Sequence, residues 1–160
     1  MPEVLPDYRG CYHKSRPMSK RCSNCGSSLC YECVIKEVVD IVKYTDSVLD
    51  KFENFCAACY LERINKPGYK IMYAHSTSWN PIKIRPKKPN LLNPFSFGGS
   101  IVMLIISIVT IPLIMGIFTF FMFYYSPYRA AVKKYKEYQN KRELAITITD
   151  EVKKLNALPQ

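Results

Sequence analysis

The chain has 160 residues, with 23 lysines and arginines against 13 acidic residues and a net charge of +10. That length suits one small domain with appendages. Seven cysteines is an odd count, and "MPEVLPDYRG" has no apolar run, so a secreted disulfide scaffold is disfavoured and reduced cytosolic thiols are expected.

The charge is unevenly spread. Residues 1–60 balance to zero, residues 61–100 carry +6, residues 101–125 carry none, and residues 126–160 carry +4. Basic residues thus flank an uncharged apolar segment, a pattern that suits an anionic membrane surface better than nucleic acid, which is not expected as a partner.

Residues 1–10 read as a short extended lead. Residues 11–66 hold all seven cysteines. Three C-x-x-C pairs stand out, Cys22/Cys25, Cys30/Cys33 and Cys56/Cys59, and Cys11-Tyr12-His13 supplies a fourth pair, first in chain order. Two intervening residues let both sulfurs turn onto one ion in a tight knuckle. Gly26, directly after Cys25, stands where such a knuckle tolerates a positive φ. Eight ligands are the number needed by two closed tetrahedral zinc sites. Only four residues separate Cys25 from Cys30, which makes it awkward for neighbouring pairs to close on one ion. Interleaving relieves this. Site one is then Cys11, His13, Cys30 and Cys33, and site two is Cys22, Cys25, Cys56 and Cys59. Two Zn2+ ions are expected. They would tie together a chain with little core of its own.

The order Cys11-x-His13, Cys22-x-x-Cys25-Gly26, Cys30-x-x-Cys33 and Cys56-x-x-Cys59 resembles the B-box-type zinc finger. The likeness covers residues 11–59. The first pair has one intervening residue where that family has two, and the stretch from Cys33 to Cys56 is longer. The resemblance implies a cross-brace fold around two zinc ions. The FYVE finger shares the central core, but "MSKRCS" has only Lys20 and Arg21 where that family carries a basic, histidine-containing motif. The RING finger has a C-x-H pair, but second rather than first.

Between Cys33 and Cys56, the β-branched Val34, Val38, Val39, Ile41 and Val42 predict a strand. From Ser47, the spacing of Val48, Leu49, Phe52 and Phe55 predicts a helix. Both are expected to form a small core around the metal sites. "CYLERIN", from Cys59, predicts a short helix stopped at Pro67-Gly68. Residues 67–100, with five prolines and three glycines, read as an irregular or extended connector, and His75 within it as a surface residue.

Ile101 to Tyr125 is 25 residues without a charge. A helix of that length is about 37 Å long and spans a hydrocarbon core of about 30 Å. Pro112 and Gly116 predict a kink, and Tyr124 and Tyr125 suit an interfacial belt. One transmembrane helix is the preferred reading, with the zinc domain in the cytosol and the tail on the opposite face. A hairpin bent at Pro112 and dipping into one leaflet is the alternative. The preference rests on the cost of unpaired backbone at a bend in lipid. Residues 126–160 read as a basic amphipathic helix, from the spacing of Tyr128, Val132, Tyr135 and Tyr138, with "AITITD" as an extended break.

The fold class expected is therefore a small α+β zinc-stabilised domain, a single transmembrane helix and a basic helical tail. No catalytic constellation is visible, and closed zinc sites lack the open position that metal catalysis needs. The function expected is a non-enzymatic, membrane-anchored zinc finger that binds or recruits another protein. A ubiquitin-type ligase adaptor and an accessory subunit of a larger membrane complex are the alternatives.

Overall fold

The computed structural model describes residues 11, 13, 16–43, 48–75, 80, 82–109 and 113–157. The expected lead at 1–10 and the bend at Pro112 lie outside them. The described chain is a small α+β structure that divides into two compact units.

The first unit is built from residues 1–37, 52–69 and 139–160. It opens with a short antiparallel ladder, β1 (Lys20–Arg21) against β2 (Ser28–Leu29), with Lys20 opposite Leu29 and Arg21 opposite Ser28. The loop between them is closed by two backbone bonds, from Cys22 N–H to Ser27 O at 2.9 Å and from Gly26 N–H to Cys22 O at 2.9 Å. Gly26 sits at φ +74° with no atom near the place of a Cβ, so the dihedral and not crowding makes glycine the residue of choice.

Strand β3 (Ile35–Lys43) pairs with β4 (Val48–Phe55), and α1 (Ala57–Ile64) follows directly. β4 replaces the helix expected from Ser47 onward. The three-residue spacing that suggested a helix does not mark a buried face, since Leu49 and Phe52 are each 55% exposed while Phe55 is 4% exposed. Pairing with β3 satisfies the backbone instead, a tertiary override of a weak local pattern. Helix α1 starts at Cys56, whose carbonyl accepts from Tyr60 N–H at 2.9 Å, and ends before Pro67-Gly68 as expected. Cys22, Leu29, Cys30, Cys33, Ile35, Phe55, Cys56, Cys59 and Tyr60 are buried around the clusters; of the residues expected in that core Phe55 and Ile41 are buried, whereas Val42, Leu49 and Phe52 are exposed. Glu37, also buried, meets Arg63 Nε at 3.1 Å and accepts from the Tyr69 hydroxyl. This joins the start of β3 to α1 and to the turn after it.

The second unit comprises residues 38–51 and 70–138. The connector is more ordered than its composition suggested. β5 (Ile71–Tyr73) and β6 (Ile82–Ile84) pair antiparallel, Met72 opposite Lys83, and bury Ile71, Tyr73, Ile82 and Ile84. A single 3-10 turn at Pro94–Ser96 then delivers Phe97, which is fully buried. Its ring stands edge-on to Tyr124 (5.4 Å between centroids) and Tyr128 (5.5 Å). A Cβ on Gly99 would run into the Phe97 ring, so glycine lets the chain pass there. His75 is half-buried rather than on the surface, with Nε2 3.4 Å from Ser126 Oγ.

The apolar segment is not one helix. It forms α2 (Ile101–Val109) and α3 (Leu113–Phe120), followed by a π-helical turn at Phe121–Tyr125. α3 packs back along α2, and the π-helical turn meets α2 again, so the chain reverses between the two helices. Among the described residues, no helix is long and apolar enough to cross a membrane. The single 25-residue helix expected there is thereby corrected. Pro112 supplies the physical reason at sequence level, since it lacks an N–H and its ring clashes with the preceding turn.

Helix α4 (Ser126–Ala157) is continuous. "AITITD" lies within it instead of breaking it. Thr147 and Thr149 donate to Glu143 O (3.0 Å) and Ala145 O (2.7 Å), one turn back, so both hydroxyls are satisfied without leaving the helix. Ala131, Ala145 and Ile148 are its most buried side chains.

Candidate metal centre

Two groups of four side chains converge, Cys11, His13, Cys30 and Cys33 in one and Cys22, Cys25, Cys56 and Cys59 in the other. Within each group all ligand atoms lie within 4.8 Å of one another. The interleaved grouping expected from spacing is the grouping found. Three pieces of local structure deliver it. The β1–β2 loop carries Cys22 and Cys25. The turn after β2, closed by Cys33 N–H to Cys30 O at 3.3 Å, carries Cys30 and Cys33. The N-terminus of α1 carries Cys56 and Cys59, where the helix dipole favours a thiolate.

The spacings test whether a metal fits. A tetrahedral ion with metal–sulfur bonds of about 2.3 Å has sulfur–sulfur edges of about 3.8 Å, and slightly shorter edges to nitrogen. Cys25 and Cys56 Sγ are 3.8 Å apart, and Cys11 and Cys33 Sγ 3.3 Å. His13 Nδ1 is 3.4 Å from both Cys30 and Cys33 Sγ. Both tetrads are positioned to hold a metal ion, and their sulfur-rich donor sets suit zinc.

Groups behind the ligands were not legible in advance. His13 turns Nε2 outward, 3.7 Å from Glu32 Oε2, and Glu32 is held in turn by Arg16. A carboxylate behind a ligand imidazole fixes ring orientation and tautomer. In the second tetrad, Asn24 Nδ2 donates to Cys59 Sγ at 3.3 Å and Cys56 N–H to Cys22 Sγ at 3.3 Å, while Ser27 Oγ lies 3.2 Å from Cys25 Sγ. Glu32 and Asn24 are each the polar residue directly before the second cysteine of their own C-x-x-C loop. That position was the one available signal.

The thiols are electrostatically uneven. Burial opposes ionisation of Cys30, but hydrogen bonds from Cys11, the Cys33 backbone and His13 outweigh it and bring the thiol down to about 6. Burial likewise opposes ionisation of Cys25, and the Ser27 hydroxyl and backbone bring it down to about 7. Burial pushes Cys59 far above the ordinary thiol range. Each tetrad thus favours some thiolate before any ion arrives, and a bound cation would deprotonate the rest.

No known protein family, curated protein or solved structure matches the chain. What stands is a pair of zinc-finger-like cysteine and histidine clusters in a small α+β frame.

Proposed function

We propose that the protein is a membrane-anchored zinc finger of B-box-like ligand order, which binds another protein and holds it at a membrane surface. The observation that carries the metal half is the closure of both tetrads by four protein ligands each. Such sites are structural and leave no position for a substrate. His13 and the seven cysteines are the proposed ligands, and two zinc ions the proposed content.

The membrane half rests on exposed apolar surface. No side chain of α2 is buried, and Val102, Ile105, Ile108, Val109, Met115 and Phe118 are each more than half exposed. Contiguous apolar surface on that scale marks a membrane or protein interface. The thiol clusters belong on the reducing side, the cytosol. On the metal-bearing unit, Tyr31 is 80% exposed at the tip of the second knuckle and favours a protein-binding role for that unit.

Elemental analysis of protein purified in mild detergent should return two zinc ions per chain, and a pull-down from the same extract should return a stoichiometric partner. One ion would remove a tetrad from the proposal, and iron would overturn the zinc assignment. Discharge of a ubiquitin-charged conjugating enzyme would move the reading to a ligase adaptor.

A further inference from the structure

We propose that residues 101–125 form a hairpin seated in a single leaflet of an anionic bilayer, so that the chain enters and leaves on the same face. This rests on the membrane reading above and specifies how the contact is made.

The first observation is the path of the chain. The unit that carries both tetrads contains residues upstream of the apolar segment, 1–37 and 52–69, and residues downstream of it, 139–160. A compact unit cannot be assembled across a bilayer. The segment between its parts therefore starts and ends on the same face, which argues against a single span.

The second observation is length. α2 has nine residues, and the second arm has eight in α3 and five more in the π-helical turn that continues it. At the α-helical rise the arms are roughly 13 Å and 20 Å long. Both fall short of a hydrocarbon core of about 30 Å, too short for two full crossings.

The third is polarity. The hairpin carries no charge, and the hydroxyls within its two helices are satisfied internally, Ser107 donating to Met103 O at 2.6 Å and Thr119 to Met115 O at 2.8 Å. Pro112 has no N–H to leave unpaired, which lightens the backbone cost of a bend in lipid that otherwise favours a span.

The fourth is charge on both flanks. From Lys70 to Lys136 the chain holds nine basic residues and no acidic one. Lys83, Arg85, Lys87 and Lys88 before the hairpin, and Arg129, Lys133 and Lys136 after it, are exposed. A single span would place one of these groups on the far surface. A one-leaflet hairpin brings both to one anionic surface, where each cation is attracted.

The test uses the full chain with a different epitope at each terminus, synthesised cell-free onto preformed sealed vesicles of phosphatidylcholine and phosphatidylserine. The protein should float with the vesicles after an alkaline wash, and protease added outside should remove both epitopes together before any detergent. Retention of one epitope until detergent is added would overturn the hairpin and leave the membrane reading standing. Failure to float would overturn both. The pair Ile105→Asp with Phe118→Asp, on exposed hairpin positions in the unit that does not carry the tetrads, should abolish flotation while zinc content stays unchanged. Undiminished flotation of that variant would show that another segment holds the bilayer.

Discussion

His13 donates one ring nitrogen to a cluster of thiols and points the other at Glu32, a residue that sequence spacing did not single out. If Glu32 orients the imidazole, Glu32→Gln should weaken zinc at the first tetrad by about tenfold or more and leave the second unchanged. Competition with a chromophoric chelator would resolve the two sites. Equal loss at both would mean general destabilisation, and no loss would remove Glu32 from the site. His75 offers a second test. Burial holds its pKa below the ordinary 6.5, so the native state favours the neutral ring. Between the two values the unfolded chain binds more protons. Its contribution is therefore complete above pH 6.5 and is lost as the pH falls through the lowered native value. His75→Phe should flatten the acid-side slope of stability measured by thermal unfolding. An unchanged slope would assign it to other groups.

Two elements depart from their local pattern, and each can be checked by paired substitutions. On β4, Phe55 is buried while Phe52 is exposed. Phe55→Ala should cost about 3 kcal/mol or more in denaturant unfolding, and Phe52→Ala no more than about 0.5 kcal/mol. A helix with both phenylalanines on one face would make the two costs similar. In α4, Ile148 is 4% exposed and Ile146 is 39% exposed. An extended "AITITD" would put both on the same face, since strand side chains alternate. Ile148→Asp should make the unit that carries the tetrads sensitive to protease, whereas Ile146→Asp should be tolerated. Equal effects would restore the extended reading. The reason for both departures is the same. β-branched and aromatic residues are permissive in either state, so pairing and burial decide between them.

For the whole molecule, the division into two units predicts uneven dependence on metal. Small domains around structural zinc are commonly unfolded without it. Chelation should make the C-x-x-C region, 11–66, accessible to protease, while α2 and α3 keep their helical signal in detergent. Loss of that helical signal in parallel would mean that the units fold as one. Retention of full protease resistance would mean that the metal does not hold the fold. The C-terminal half of α4 belongs to the unit that carries the tetrads, so its protection should be lost with that unit rather than with α2 and α3.

The candidate metal centre was legible in the sequence because its information is local. Ligand type, the two-residue spacing of each pair and the short gap between Cys25 and Cys30 already restrict which pairs can meet, and Gly26 marks the left-handed turn that one of them needs. The strand after Cys33 and the short helix that stops before Pro67-Gly68 follow from equally local signals, although that helix begins at Ala57, ahead of the Cys59 start expected. The groups behind the ligands were not legible, because Glu32 and Asn24 acquire their roles only when distant segments bring His13 and Cys59 to them. Nor was the form of the apolar segment. Composition establishes that residues 101–125 avoid water, but a 25-residue apolar run is compatible with one long helix or two short ones. The choice depends on whether α3 packs against α2, and on the return of residues 139–160 to the unit that holds the tetrads. Both are contacts between residues far apart in the chain, and no reading of hydropathy along the chain contains them.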